Sequence, residues 1–319
     1  MVDILASAAH YLDHLAPTWK ALDPGARGIF WTPPELIPYA NRLGVDAQRL
    51  PLEGDPAPTL VSAYGDLRLA RSAGRRVAIA EHGAGQSYTG LRSGSYAGGG
   101  GRDADLFLHP GIRPAQRDRK RHPRTRIEVV GCPKLDTLPA RQPGGDRPVV
   151  CFSFHWDCGV VEEARSGFLF LRNSIPAIVQ SGKYEVIGHA HPRAWDGVSL
   201  WYARNGIEPV RSFDEVCRRA DLYVIDNSST MFEFAATGRP VVVVTPNVYR
   251  RYINHGLRFW ECATIGPEVD QVWKLPGAIA EALADSPKQQ ALREAAVNLV
   301  YAYRTGAAER TARILEGWA

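Results

Sequence analysis

The sequence lacks any apolar segment long enough to cross a membrane and any cysteine pattern typical of a structural metal site or a disulfide framework. No uninterrupted apolar run reaches the roughly 18 residues that a membrane-spanning helix needs. The five cysteines are widely spaced and include no Cys-x-x-Cys pair, which predicts reduced thiols in a cytoplasmic protein. Residues 1–20 carry two aspartates and two histidines among their apolar residues, so they do not resemble a signal peptide.

Lysine is scarce as well, since 32 of the 38 basic residues are arginine, and the formal net charge is only +4. A charge this small is weak evidence for a polyanionic partner. Hydrophobic residues make up 45% and charged residues 23% of the chain, which indicates a globular protein with an ample core. For 319 residues, about two domains of roughly 150 residues each are expected.

Two common signatures of phosphate and acyl chemistry are also missing. The chain contains no Gly-Lys-Ser or Gly-Lys-Thr tripeptide, which argues against a P-loop. The segment Gly85-Gln86-Ser87-Tyr88-Thr89-Gly90 misses the Gly-x-Ser-x-Gly pattern of a hydrolase nucleophile by one residue. Neither a P-loop enzyme nor a serine hydrolase is therefore predicted.

What the chain does contain is an alternation of short apolar runs and helix-like segments, typical of parallel sheets covered on both faces. It predicts an α/β protein of two Rossmann-like, doubly wound domains, residues 1–140 and 148–319, whose last helix is free to cross back to the first domain. The stretch 139–148, with three prolines and two glycines, is expected to link them. Helices are expected at Ile4–Leu15 and Glu162–Gln180. Strands are expected at Gly28–Trp31, Thr59–Ala63, Arg76–Ala80, Asp105–Leu108, Arg126–Val130, Pro148–Phe154, Tyr184–Gly188, Glu208–Val210, Leu222–Ile225 and Pro240–Val244.

A polar turn follows one of these strands, at Asp226-Asn227-Ser228-Ser229-Thr230. The carboxyl ends of parallel strands form the edge where open α/β sheets bind ligands, so a cleft shared by the two domains is expected there. The turn offers Asn227, three hydroxyls and backbone N–H groups at a helix N-terminus, which suits a phosphate. An ordinary helix cap would use the same hydroxyls.

A histidine follows another predicted strand, in Glu81-His82-Gly83-Ala84-Gly85. At this position His82 suits a general base, and Gly83 and Gly85 would let a substrate approach closely. The alternative is a turn histidine that forms only local hydrogen bonds. The glycine-rich stretch 94–101 that follows is expected to be a mobile loop at the cleft rim.

Two more histidines end the strand Tyr184–Gly188, in Gly188-His189-Ala190-His191-Pro192-Arg193. A metal pair is conceivable, but no Asp, Glu or Cys cluster at ligand spacing completes it. The preferred interpretation presents His191 and Arg193 to a phosphate, because arginine offers planar, bidentate donors. A structural strand end stopped by Pro192 is the alternative.

A basic run occupies residues 117–126. It is either a solvated helix end or a surface for an anionic acceptor such as nucleic acid, a teichoic-type polymer or lipid headgroups. No aromatic residues interleave it, and no nucleic-acid-binding motif is present. Peripheral association with a membrane stays open. The basic residues concerned are Arg117, Arg119, Lys120, Arg121, Arg124 and Arg126.

Four segments, taken in order, resemble the CDP-glycerol glycerophosphotransferases that polymerise teichoic acid. They are Glu81-His82-Gly83, Gly131-Cys132-Pro133-Lys134-Leu135-Asp136, His191-Pro192-Arg193 and Asp226 to Glu233. The family pattern runs His-Gly, Gly-Tyr-Pro-Arg-Asn-Asp, His-Pro-Arg and Asp-Tyr-Ser-Ser with an acidic residue after Phe. This chain departs from it at Cys132 and Asn227, which replace aromatic residues, and it lacks the long membrane-associating region common in the family.

The resemblance implies a GT-B fold with the nucleotide in the second domain. It assigns the catalytic base to His82 and places His191 beside the donor pyrophosphate. It assigns phosphate binding to Ser228 and Ser229 and ribose binding to Glu233. Thr230 lies in the same turn. Gly131 and Pro133 would lie in a loop at the cleft.

The function that follows is transfer of glycerol phosphate from a CDP-linked donor to an acceptor hydroxyl, with no metal or other cofactor. The partners expected are this nucleotide-diphospho donor and a polyanionic or hydroxyl-bearing acceptor. One alternative keeps the fold and transfers a sugar from a nucleotide sugar to DNA, protein or glycan. Another is a non-catalytic protein that binds a nucleotide sugar.

Overall fold

The computed structural model describes residues 1–80, 82–84, 104–121, 123, 125–157, 165–246 and 264–319. By its internal contacts the chain forms two compact units. Unit 1 consists of the described residues of 1–137 and 298–319, and unit 2 of those of 138–297. Gly85, the glycine-rich stretch 94–101, residues 162–164 of the predicted second helix and the side chains of Arg117, Arg121 and Arg124 lie outside the described residues.

Strands and helices alternate along the described chain. The strands are β1 Val2–Leu5, β2 Arg27–Thr32, β3 Ala47–Arg49, β4 Thr59–Val61, β5 Val77–Ala80, β6 Leu106–His109, β7 Arg126–Val129, β8 Val149–Phe154, β9 Glu185–Ala190, β10 Glu208–Pro209, β11 Leu222–Ile225, β12 Val241–Val244 and β13 Glu268–Val269. The helices are α1 Ala9–Ala21, α2 Ile37–Arg42, α3 Tyr64–Ser72, α4 Ile112–Arg121, α5 Phe168–Leu171, α6 Ile175–Gln180, α7 Trp195–Arg204, α8 Phe213–Arg219, α9 Thr230–Ala235, α10 Leu275–Ala284, α11 Pro287–Val300 and α12 Ala307–Glu316.

Unit 1 is built on a parallel sheet that has seven strands within the described residues, in the order β3-β2-β1-β4-β5-β6-β7. Its central strands are buried on both faces, which explains their continuous apolar sequences. On one face α1 and α12 pack together against the sheet, with Leu12, Leu15, Ala312 and Leu315 in one apolar core.

Unit 2 is built on a second parallel sheet, with six strands among the described residues in the order β10-β9-β8-β11-β12-β13. Strands β8, β11 and β12 are buried along their whole length. Helices α5, α6, α7 and α10 contribute residues to one apolar core with β8, β11 and β12. The predicted pair of doubly wound parallel sheets is therefore confirmed.

Two predicted helices are wrong in their bounds. Residues 2–5 form a central strand, because the polar Asp3 that interrupts the apolar run is buried and accepts bonds from Ile29 N at 2.7 Å and Trp31 Nε1 at 2.9 Å. The region after residue 165 forms two short helices, α5 and α6, since Pro176 at the start of α6 has no N–H to continue a helix.

Candidate functional site

Each sheet reverses its strand order at one place, between β1 and β4 in unit 1 and between β8 and β11 in unit 2. Doubly wound proteins bind ligands at the carboxyl ends of the strands at such a reversal, because the helices on the two sides diverge there. The residues after these four strands and their neighbours are therefore the first place to look for a site.

In unit 1 this position is occupied by a group of polar rings around His82. His82 is buried, and its Nδ1 lies 2.7 Å from the carbonyl oxygen of Ser62, which directly follows β4. A carbonyl only accepts, so Nδ1 carries a proton, and in the neutral ring Nε2 keeps its lone pair. Gly83 follows with φ of 64°, a backbone conformation that favours glycine.

Helix α1 contributes three further rings to this group, which the sequence analysis missed. The ring centroids of His10, Tyr11 and His14 lie 5.7, 4.9 and 6.1 Å from that of His82. The available signal was the His10-x-x-x-His14 spacing, which places both side chains on one helix face after the first strand.

His14 is held neutral in this group. Burial lowers its pKa well below the ordinary value, and the positive charge of Lys134 and the neighbouring His82 and His10 lower it further. The Nδ1 atom of His14 lies 3.4 Å from Gly83 N, which donates to it, and 3.6 Å from Cys132 Sγ. His14 therefore contacts the backbone next to His82 as a hydrogen-bond acceptor.

The segment from Gly131 to Asp136 has a clear role in the fold. Gly131 has φ of 91°, and a Cβ there would lie 3.0 Å from that of Ala307. Pro133 is buried at the start of a short 3-10 helix, and Asp136 accepts a bond from Ala308 N at 2.7 Å. These contacts attach the segment to the start of α12, so the predicted role of Gly131 and Pro133 in a ligand loop stays a prediction.

In unit 2 the predicted groups follow β9 and β11, the two strands that flank β8. His191, just after β9, accepts a bond at Nδ1 from Arg193 N at 3.1 Å. When the ring is neutral, its Nε2 therefore carries the proton and is a donor. In His82 the roles of the two ring nitrogens are reversed, since Nδ1 is the donor there.

Two residues after β8 belong to the same group and were missed by the sequence analysis. The ring of His155 lies 4.9 Å from that of His191, and the Arg193 guanidinium lies 4.8 Å from the centre of the Trp156 ring. Cation–π contact of this kind orients the arginine without neutralising its charge. The only sequence signal was the position of His155-Trp156 at the end of a buried strand.

Asp226 ties the ends of these strands together. Its Oδ1 accepts from His155 N at 2.9 Å and Asn227 N at 2.7 Å, and its Oδ2 accepts from Gly167 N at 2.8 Å. Burial raises the pKa of Asp226 to about 6, while these backbone bonds oppose the rise. Asn227 is buried and donates from Nδ2 to the Arg165 carbonyl at 2.6 Å, so it anchors the backbone at Arg165.

The hydroxyl turn is partly exposed at Ser228, Ser229 and Thr230. Helix α9 has only six residues, and its N-cap Ser229 makes no side-chain cap bond. Glu233 is fully buried, and Ser229 Oγ donates to its Oε1 over a long 3.5 Å. Its predicted contact with a ribose stays a prediction.

The conceivable metal pair is not brought together. His189 is buried and lies 2.8 Å from Ser153 Oγ, whereas His191 lies beyond the strand beside His155. Within the described ranges no three His, Cys, Asp or Glu side chains are grouped as metal ligands would be.

The basic run begins at the end of α4 and continues into β7. Arg119 donates to the Ile127 carbonyl at 2.9 Å and Arg126 pairs with Glu128 at 3.0 Å, while Lys120 is exposed. Arg119 and Arg126 thus have protein partners, and the acceptor surface stays a prediction. Among the described helices, none combines the length and apolar character that a membrane span requires.

A family comparison matches the C-terminal part of the chain. Residues 178–316 match the sequence model of the family described as CDP-Glycerol:Poly(glycerophosphate) glycerophosphotransferase, which confirms the resemblance that the motifs indicated. The matched segment contains His191, Arg193 and the turn up to Glu233, but not His82. A search of curated proteins gives no match.

Solved structures resemble this chain over nearly its whole length. Wall teichoic acid polymerase TagF is 12% identical with a TM-score of 0.64, over 99% of this chain and 88% of that chain. A UDP-N-acetylglucosamine 2-epimerase is 15% identical with a TM-score of 0.61, over 99% and 94%. The S. aureus MnaA–UDP co-structure is 12% identical with a TM-score of 0.65, over 98% and 94%. At such identities the likeness shows the fold, which is GT-B-like.

Proposed function

We propose that this protein transfers glycerol phosphate from CDP-glycerol to the hydroxyl of an acceptor. The observation that carries the proposal is the coincidence of two findings in unit 2. The segment that matches the glycerophosphotransferase family contains His191, Arg193 and the Ser228–Thr230 turn. The same groups follow β9 and β11, which flank β8, at the edge of the sheet where the strand order reverses and ligands bind.

The chemistry of these groups supports a diphosphate as the ligand. In the neutral ring the Nε2–H of His191 is a donor, and Arg193 adds a positive charge oriented by Trp156. The Ser228–Thr230 turn adds a neutral donor, the Ser228 hydroxyl, since Thr230 and Ser229 donate to Ser228 and Glu233. Such groups bind the anionic donor and stabilise charge that builds on it during transfer. TagF, whose fold this chain shares, was soaked with CDPG in one of the matching structures.

The proposed step is a displacement at phosphorus. The acceptor oxygen attacks the β-phosphorus of CDP-glycerol, and the bond from that phosphorus to the bridging oxygen breaks, so CMP leaves with the electron pair. The acceptor hydroxyl loses its proton to His82 Nε2, the ring nitrogen left with a lone pair by the Nδ1 bond to Ser62. All groups invoked are protein side chains, and no metal ion enters the step.

A nucleotide-sugar transferase is the second candidate. It is favoured by one observation, the similarity of the fold to the MnaA–UDP co-structure and to a UDP-N-acetylglucosamine 2-epimerase. Its donor would release a nucleoside diphosphate instead of CMP.

A binding and turnover experiment separates these functions. Thermal shifts with CDP-glycerol, CMP, CDP, UDP, UDP-N-acetylglucosamine and GDP-sugars are expected to show the largest stabilisation with the cytidine compounds. With CDP-glycerol and a glycerol phosphate oligomer as acceptor, CMP release is expected. Stabilisation by UDP compounds alone would contradict the proposed donor, and no response to any compound would contradict both functions.

The variant His82→Ala tests the proposed base. It is expected to lower the rate of CMP release roughly 10²–10⁴-fold and to leave CDP-glycerol affinity, measured by calorimetry, nearly unchanged. His10→Ala is the matched control, because it removes a neighbouring ring of the same kind, and a much smaller loss is expected. Turnover by His82→Ala at the wild-type rate would reduce His82 to a turn histidine.

A further inference from the structure

We infer that Tyr223 is a positioning residue for phosphate binding, acting through a hydrogen-bond chain that makes the Ser228 hydroxyl a donor to the ligand. This inference rests on the proposed function, because it takes the Ser228–Thr230 turn as the place where a nucleoside diphosphate binds. It adds two buried residues, Tyr223 of β11 and His189 of β9, whose hydrogen bonds lead to this turn.

The chain starts inside the sheet and ends at the turn. His189 Nδ1 lies 3.3 Å from Tyr223 Oη, and Tyr223 Oη lies 3.2 Å from Thr230 Oγ1. Thr230 Oγ1 donates to Ser228 Oγ at 3.0 Å. Tyr223 is fully buried, whereas Ser228 and Thr230 are partly exposed, so the chain runs from the core of unit 2 to its surface.

The direction of the chain follows from the number of hydrogens available. A hydroxyl has one hydrogen and two lone pairs, and Thr230 uses its hydrogen on Ser228. The bond between Thr230 and Tyr223 must then be donated by the Tyr223 hydroxyl. Toward its other two neighbours, Ser153 Oγ and His189 Nδ1, the Tyr223 hydroxyl can then only accept.

The same count fixes the role of Ser228. Its Oγ accepts from Thr230 Oγ1 and, over 3.4 Å, from Thr230 N, which uses both lone pairs. The Ser228 hydroxyl can therefore only donate. A donor hydroxyl suits a phosphate oxygen, and the bonds behind it polarise it further.

The surroundings keep Tyr223 in its donor state. Its ring stacks on Phe234 at 5.0 Å between centroids and contacts Phe213 at 5.9 Å, which fixes its orientation. Burial raises the pKa of Tyr223 well above the ordinary value, so the phenol stays protonated at neutral pH. Without the Tyr223 hydroxyl, Thr230 would lose the bond that polarises its own hydroxyl, and Ser228 would become a weaker donor to the ligand.

The test compares Tyr223→Phe with Tyr202→Phe. Tyr202 is the matched control, because it is a fully buried tyrosine of the same unit whose hydroxyl bonds to the carbonyls of Phe152 and His189 instead of the turn. By calorimetry, Tyr223→Phe is expected to bind CDP about 10-fold more weakly, the scale of one weakened bond to a charged group. Tyr202→Phe is expected to bind CDP like the wild type.

Two further measurements separate positioning from a general loss of structure. Cytidine, which has no phosphate, is expected to bind Tyr223→Phe as it binds the wild type. In a double-mutant cycle, Tyr223→Phe is expected to add no further loss in a Ser228→Ala background, because Tyr223 acts through that hydroxyl. Thr230→Val should reproduce the loss of CDP affinity, and Thr230→Ser should bind CDP like the wild type. If Tyr223→Phe fails to fold, these two variants test the hydrogen-bond chain instead.

The outcomes distinguish this inference from the proposed function. CDP binding that is equal in wild type, Tyr223→Phe and Thr230→Val, or additive losses in the cycle, would overturn the inference alone. Wild-type binding of UDP in place of CDP would overturn the proposed donor, and the same variants measured with UDP would still decide the inference. A wild type that binds neither nucleotide would overturn both.

Discussion

At the residue scale, backbone groups determine which ring nitrogen carries the proton in the two histidines proposed to act in the reaction. His82 donates from Nδ1 to the Ser62 carbonyl, whereas His191 accepts at Nδ1 from the Arg193 N–H. In their neutral forms, His82 thus presents a lone pair at Nε2 and His191 presents a hydrogen there. These are the states that a base and a phosphate-binding group require.

The buried His14 predicts a measurable pH dependence of stability. Its pKa in the folded state is far below the ordinary value near 6.5, so the unfolded state binds one more proton below that pH. The free energy of unfolding should therefore fall as the pH drops below about 6.5, by up to about 1.4 kcal/mol per pH unit from this group. The variant His14→Gln, which never ionises, should lose that part of the slope.

Urea unfolding at pH 5.5, 6.5 and 7.5 measures this slope for both proteins. The glutamine amide retains a group that can accept from Gly83 N, so the comparison isolates the charge. Identical slopes would show that His14 takes up its proton in the folded protein as it does in the unfolded chain.

The sequence could locate His82 and His191, but it could not tell which ring nitrogen of each carries the proton. His82 and His191 were predicted because both follow strands, and a strand end is visible in the apolar pattern. Their partners are backbone atoms of the Ser62 turn and of Arg193, which the pattern does not encode. His10, His14 and Trp156 were missed because their neighbours in space are distant in sequence.

At the scale of elements, the close approach of β9 and α7 depends on one glycine. A Cβ at Gly188 would lie 2.4 Å from the ring of Tyr202, which is buried and anchored by bonds to Phe152 and His189. The ring cannot move without losing these bonds, so the helix would have to shift away from the strand.

Gly188→Ala is therefore expected to lower the free energy of unfolding by about 1–3 kcal/mol, the usual cost of overpacking a core. Gly197→Ala in α7 is the matched control, since its added Cβ would have nothing within 4 Å. Alanine is the better helix former, and a gain of up to about 1 kcal/mol is expected there. Urea unfolding checks both, and an unchanged stability in Gly188→Ala would show that α7 adjusts freely.

Strands could be predicted from the sequence where burial on both faces makes every residue apolar. The runs Leu222–Ile225 and Val241–Val244 are apolar throughout because parallel strands are covered on both faces. The end of β1 was included in the predicted helix Ile4–Leu15, because Asp3 interrupts the apolar run of this strand and only the folded contacts with Trp31 and Arg75 explain a buried carboxylate there. Strands β3 and β13, with three and two residues, are too short to give any pattern.

At the scale of the whole molecule, the chain ends in the unit where it begins. Residues 298–319 belong to unit 1, and α12 places Ala312, Leu315 and Trp318 in the same apolar core as Leu12 of α1. A periodic apolar pattern predicts that such a helix has a buried face, but it does not say which sheet the face covers. The sequence predicted a division of the chain near residues 139–148 and left the last helix free to cross back, whereas the sheet that this helix covers required the contacts themselves.

The variant Leu315→Ala tests this arrangement. Leu315 is fully buried in unit 1, so the cavity left by the substitution should cost about 2–5 kcal/mol. Leu299→Ala is the matched control, because Leu299 is 39% exposed and a much smaller loss is expected. Hydrogen exchange followed by mass spectrometry should show faster exchange in α1, β1 and β2 for Leu315→Ala, while β8, β11 and β12 keep their protection. Faster exchange that begins in β8 or β11 instead would contradict the assignment of α12 to the core of unit 1.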